Sequence, residues 1–191
     1  EAFTRHDPNL FIGWDIHGCT LGIVGLGNIG RHVAHRSKGF DMRVLYHNRK
    51  PDPRVEAELG VTYATLNDLL SESDFVSLNV KMTEETKGLI GRDELAMMKP
   101  TAFLINVARG PIVDHEALTE ALQNGQIRGA ALDVTEPEPL PRDHPLLKMD
   151  NVIITPHLGS AAVQTRRAMA RLAVDNLVAG LNGKDLPSPV V

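Results

Sequence analysis

The chain has 191 residues, a net charge of −4 and no basic run, so nucleic acid and anionic membrane surfaces are poor candidates as partners. No apolar stretch is long enough to span a bilayer and no signal peptide is evident. The single cysteine, Cys19, excludes an intrachain disulfide and fits a reducing, cytoplasmic setting. This length suits one large α/β domain, or a large and a small one. Aromatics are sparse, which leaves the core to Val, Ile, Leu, Ala and Met, and a start on Glu1 rather than Met suggests a fragment, a processed product or a trimmed chain.

Residues 1–19 carry Phe3, Phe11 and Trp14 among polar residues with no clear period, and read as a lead-in segment that packs on something, a candidate dimer arm. Leu21 to Val24 then reads as a strand buried on both faces. It runs into Gly25-Leu26-Gly27-Asn28-Ile29-Gly30, after which Arg31 to Phe40 reads as a helix. In such a strand–turn–helix, Gly25 makes the tight turn, Gly27 lets backbone approach a pyrophosphate, and Gly30 lets the helix pack close to the strand. The free N–H groups of the helix start, with Asn28 and Ile29 among the first residues, face the phosphates, and the helix dipole adds to the attraction. A GxGxxG alone is weak evidence; the flanking strand and helix make it a dinucleotide-binding turn.

Further strands are expected at Met42–His47, Val61–Tyr63, Asp74–Val80, Thr101–Val107, Ala130–Val134 and Val152–Thr155. Helical segments fall between them at Pro53–Leu59, Leu66–Ser71, around Glu94–Met98, and from a cap at Asp114 to a stop at Gly125. Lys99-Pro100 ends the helix before it. Strands alternating with helices argue for an α/β fold, a Rossmann-type doubly wound parallel sheet with helices on both faces. Thr135 to Asp150, rich in proline and acid, reads as a loop. Ala162 to Leu181 reads as an amphipathic helix with Met169, Leu172, Ala173, Leu177 and Leu181 on one face.

The second strand decides the cofactor type. In an NAD-binding unit an acid at its end bonds the adenosine ribose, but here it ends Tyr46-His47-Asn48-Arg49-Lys50 with no carboxylate. An arginine there can pair with the 2′-phosphate of NADP. Arg49 with Asn48 beside it therefore predicts NADP(H) over NAD(H); the plainer reading is a solvated basic turn.

Three chemically competent side chains follow strand ends, where ligands bind in open α/β sheets. They are Arg109 after the fifth strand, Glu138 after the sixth and His157 after the seventh. An arginine can hold a carboxylate and polarise a neighbouring carbonyl, and a histidine can give a proton to that oxygen as hydride arrives at carbon. A carboxylate beside the imidazole stabilises its protonated form and fixes its orientation. Together they suit reduction of a small 2-oxo acid. The remaining histidines, His6, His17, His32, His35, His47, His115 and His144, show no metal-ligand spacing and are expected on helix or loop surfaces. No metal site is expected, and Met97-Met98 reads as core or interface filler.

GIVGLGNIG, NVARGPIVD, ALDVTEPEPLP and NVIITPHLGS, in this order, resemble the D-isomer-specific 2-hydroxyacid dehydrogenases, particularly the glyoxylate/hydroxypyruvate reductase branch, from about Thr20 onward. The resemblance implies that Arg109 binds substrate, that Glu138 is the acid of a Glu–His pair and that His157 is the proton donor and acceptor. It also implies that Asp133 bonds the nicotinamide carboxamide, that Val80, Val107 and Ala108 line the cofactor cleft, and that the protein is a homodimer. Residues 20–160 are then the dinucleotide-binding domain. Residues 161–191 would pack on a substrate domain that this sequence does not include, so the chain alone is expected to bind cofactor but turn over poorly. Two other readings stay open: a relative acting on another acid such as formate or phosphoglycerate, and a dinucleotide-sensing, corepressor-like interaction module.

Overall fold

The computed structural model describes residues 13–189. Seven strands alternate with helices in chain order. They are β1 (Thr20–Val24), α1 (Asn28–Ser37), β2 (Arg43–His47), α2 (Pro53–Leu59), β3 (Thr62–Tyr63), α3 (Leu66–Glu72) and β4 (Phe75–Leu78). Then follow α4 (Arg92–Met97), β5 (Phe103–Asn106), α5 (His115–Gln123), β6 (Gly129–Leu132), β7 (Val152–Ile154) and α6 (Val163–Leu181). Strands and helices fall where the sequence pattern puts them, with ends that differ by a few residues.

All pairings are parallel and the order across the sheet is β3-β2-β1-β4-β5-β6-β7. The order reverses between β1 and β4, so the loops at their C-terminal ends diverge and leave a crevice between them. Local signals fix the helices. Asp52 accepts from the backbone N–H groups of Arg54 and Val55 to start α2, Asp114 does the same from Glu116 and Ala117 to start α5, and Gly60 ends α2 in the left-handed region.

Helices cover the two faces unequally. On one face α3, α4 and α5 bury an apolar layer that includes Val76, Leu78, Leu104 and Leu132. On the other, α1 and α2 pack on Leu21, Ile23, Val44 and Tyr46. A single row of in-register residues on that second face runs Tyr46, Ile23, Ser77, Ile105, Ala131, Ile153. Tyr46 and Ile23 are fully buried and Ile153 is 67% exposed. The cover therefore stops past β4, and over β5–β7 no helix lies on this face among the described residues.

Of the lead-in segment, only residues from Gly13 on are described; the expectations for Phe3, His6 and Phe11 lie outside them. Trp14 is exposed, with the Arg128 guanidinium 3.9 Å above its ring. The α6 helix buries none of its residues, and Met169, Leu172, Leu177 and Leu181 all face solvent. No helix of the described residues is long and apolar enough to cross a membrane. One expectation fails: His115 is not on the surface but buried, its Nδ1 3.1 Å from the Val113 carbonyl and its Nε2 without a partner. It is the first residue of α5, and burial pushes its pKa down.

Candidate active site

The glycine turn is built as its spacing demands. Gly25 has φ +97°, and a Cβ there would lie 2.7 Å from the Val80 amide nitrogen, so neither the conformation nor the space admits a side chain. At Gly30 an added Cβ would run into the Gly25 carbonyl, which is the close packing of helix on turn. Gly27 differs, because nothing lies within 4 Å of where its Cβ would be. That open space, next to the unbonded N–H groups at the start of α1, fits a diphosphate.

Asn48 ties the end of β2 to this turn, its Oδ1 accepting from the Leu26 N–H at 2.7 Å. Its side-chain NH2 and the Arg49 and Lys50 side chains have no hydrogen-bond or ion-pair partner among the described residues. The far side of the same turn hangs on Tyr46, a residue the sequence reading passed over. Its buried hydroxyl donates to Glu56 at 2.8 Å and accepts from the Asp52 N–H at 2.7 Å.

A cavity of about 440 Å³ lies against this turn. Its walls are Asn28 and Ile29 of α1, residues 79–82 after β4, and residues 107–109 after β5. Val80, Val107 and Ala108 thus stand in the wall with Arg109 at its edge. Lys81 and Met82 share it, neither of them singled out by the sequence.

The Arg109 loop is held by Asn106, whose side chain is wholly buried at the end of β5. Its Nδ2 donates to the Arg109 carbonyl at 2.9 Å and its Oδ1 accepts from the Ala108 N–H at 3.1 Å. The Arg109 guanidinium is exposed and folds onto the Ala108 carbonyl at 2.6 Å, and no acid pairs with it among the described residues. Gly110 brings this loop against the next one, since a Cβ on it would collide with the Thr135 carbonyl. Thr135 in turn donates to the Pro137 carbonyl at 2.8 Å, one residue before Glu138.

Glu138 and His157 meet: Oε1 lies 2.8 Å from Nδ1, with both side chains about half exposed. An ionised carboxylate only accepts, so Nδ1 carries the proton and Nε2 is left to exchange one with a ligand. His157 sits at φ +55°, a left-handed conformation unusual for a histidine. Asp133 holds it there. Its Oδ1 accepts from the Thr155 hydroxyl at 2.5 Å and the Leu158 N–H at 2.6 Å, its Oδ2 from the Gly159 N–H at 2.8 Å. Burial opposes the Asp133 charge, but these three donors and the nearby His157 outweigh it and hold the carboxyl below the usual range. Arg109 makes no hydrogen bond to Glu138 or His157; the three share one sheet edge through the packed loops that carry them.

The family's sequence model, described as D-isomer specific 2-hydroxyacid dehydrogenase, NAD binding domain, matches residues 2–159. The chain belongs to this family. It is 51% identical over 183 residues to a glyoxylate reductase of Korarchaeum cryptofilum, covering 96% of this chain and 55% of that protein. A glyoxylate reductase of Thermococcus onnurineus is 50% identical over 96% of this chain and 54% of its own length. The chain thus spans about half the length of the curated relatives it matches. Among solved structures, the TT0316 protein from Thermus thermophilus superposes with a TM-score of 0.92 at 50% identity, covering 98% of this chain and 58% of that one. D-lactate dehydrogenase with NAD+ from Lactobacillus jensenii does so with a TM-score of 0.86 at 33% identity, over 97% and 59%. A nicotinamide dinucleotide is accordingly the cofactor class of the domain. Among the described residues no group of His, Cys, Asp or Glu is arranged to hold a metal ion.

Proposed function

We propose that the protein transfers hydride between NADP(H) and a small 2-oxo or 2-hydroxy acid, glyoxylate or hydroxypyruvate being the first candidates, with D specificity. The observation that carries this reading is the 2.8 Å Glu138–His157 pair at the sheet edge that also bears Arg109 and the glycine turn. The bound dinucleotide supplies the hydride. Arg109, unpaired with any acid, holds the substrate carboxylate and draws electron density from the carbonyl. His157 gives its Nε2 proton to the carbonyl oxygen, and Glu138 stabilises the imidazolium and keeps the ring oriented.

Asp133 anchors the histidine loop, and the free lone pair on its Oδ2 is the acceptor we assign to the nicotinamide carboxamide. Asn48 and Arg49, with no carboxylate beside them at the end of β2, support NADP(H) as the preferred cofactor. Residues 20–160 act as the dinucleotide-binding domain. The apolar stripe on α6, within 161–191, is read as the seat of a substrate-binding domain in the whole protein, which we take to be a cytoplasmic homodimer with residues 1–19 as a dimer arm.

The test is a steady-state assay of the full-length protein against a panel of 2-oxo acids with NADPH and NADH. Turnover of glyoxylate or hydroxypyruvate with NADPH preferred is expected. A clear NADH preference overturns the cofactor assignment alone. No turnover of any 2-oxo acid, with dinucleotide binding retained, overturns the enzyme in favour of a dinucleotide-sensing module.

A further inference from the structure

The cavity beside the glycine turn contains a cation with no assigned task. Its walls carry two positive side chains, Lys81 and Arg109, and no carboxylate. Among the described residues no acid lies within ion-pairing distance of Lys81. Its backbone is pinned, because the Thr86 hydroxyl donates to the Lys81 carbonyl at 2.8 Å while accepting from the Thr83 N–H at 2.8 Å. The loop is also pressed against the glycine turn, where the Cβ position of Gly25 is 2.7 Å from the nitrogen of Val80, the residue before Lys81.

A dinucleotide laid across this turn brings a negative charge on each of two phosphates. The turn offers backbone N–H groups and a helix dipole but no full positive charge. The other cations nearby are engaged or distant from the cavity. Arg31 in the first turn of α1 pairs with Asp52 at 3.4 Å, and Arg49 and Lys50 sit at the end of β2, outside the cavity walls. Arg109 lines the cavity from the loop after β5.

We propose that Lys81 is a binding residue for the cofactor's diphosphate, its ammonium pairing with phosphate oxygens from the β4 side of the crevice while α1 meets them from the other. This rests on the dinucleotide-site reading above and goes beyond the glycine turn in assigning the charge that balances the phosphates. The alternative source of the same chemistry is a second anionic group on the substrate. The contact between the 79–80 backbone and Gly25 favours the cofactor, because it seats the root of Lys81 beside the turn.

The experiment titrates full-length wild type, Lys81→Ala and Lys81→Arg with NADPH, ADP-ribose and adenosine, and measures the KM of the 2-oxo acid in parallel. Lys81→Ala is expected to weaken NADPH and ADP-ribose by about five- to twentyfold, leave adenosine unchanged and lower the salt dependence of binding, while Lys81→Arg stays near wild type. Unchanged NADPH affinity in Lys81→Ala overturns the proposal. A raised KM for the 2-oxo acid with NADPH affinity unchanged moves Lys81 to the substrate and equally overturns it. A wild type that binds neither NADPH nor ADP-ribose removes the dinucleotide site itself, and this assignment with it.

Discussion

The β3–β1 end of the sheet and the β5–β7 end solve different problems. At the first, helices cover both faces, Tyr46 and Ile23 are fully buried, and the proposed diphosphate seat is backbone at Gly25–Gly30. At the second, one face is left open among the described residues, Ile153 is 67% exposed, and the proposed catalytic groups are side chains on loops. Such loops have no helix or strand ladder to satisfy them. They are braced instead by polar side chains near strand ends, Asn106 for the Arg109 loop and Asp133 for the His157 loop. A site made of backbone is held by packing, and a site made of side chains is held by other side chains. This contrast is what mutation can break or sharpen.

The largest effect is expected at His157, the proposed proton donor. His157→Ala in the full-length protein should cut kcat by roughly 10²–10⁴-fold while NADPH affinity, read by fluorescence titration, stays within about twofold. Glu138→Gln should cost less than His157→Ala, because the imidazole remains. Equal loss of cofactor binding in either variant would mean that the two ends are not separable.

Next comes the brace. Asn106→Leu leaves the Ala108 N–H and the Arg109 carbonyl unpaired beside the core, and should cost about 2–4 kcal/mol in denaturant unfolding. Tyr46→Phe, at the packed end, should cost about 1 kcal/mol, since Glu56 and the Asp52 N–H lie closer to water. An Asn106 variant as stable as the Tyr46 variant would break the comparison.

A smaller effect is expected at the end of β2. Arg49→Ser should weaken NADPH by about tenfold and leave NADH unchanged, so the ratio of the two KM values moves towards NAD.

The smallest effect is a pH dependence. Burial holds the folded His115 below its unfolded value of about 6.5, so the unfolded chain takes up the proton first as pH falls. Stability is therefore complete above about pH 6.5 and declines as pH drops towards the folded value. The groups around the ring are His144, which adds to the depression, and Glu136 and Asp114, which oppose it. His115→Leu should flatten the fall in Tm as pH drops from about 7.5 to 5.5, because the proton taken up only by the unfolded chain is then gone. A wild-type Tm profile already flat over that range, or one unaltered by the substitution, contradicts this.

Much of the molecule is legible in its one-dimensional pattern, for identifiable reasons. Short apolar runs punctuated by Asp114, Gly125 and Lys99-Pro100 mark strands and helices, because capping and turn chemistry act between residues a few positions apart. The glycine turn is equally local, since its three glycines answer to a strand, a turn and a helix contiguous in the chain. Glu138 and His157 stand out because each follows a strand end. Asn106, in the same motif as Arg109, carries no such signal, nor do Tyr46 and Lys81, and His115 reads as a surface residue although it is buried. Nothing in the spacing of these residues signals which side chain will turn inward.

The chain's own order of residues determined the α/β class, the dinucleotide turn and the set of chemically able side chains, because those depend on neighbours along the backbone. Only the folded sheet decided that a carboxylate nineteen positions from an imidazole would meet it at 2.8 Å, and that Asp133 would hold the loop that allows it. Such contacts need strands β5, β6 and β7 laid side by side, and that adjacency comes from sheet packing over distances the local sequence does not span.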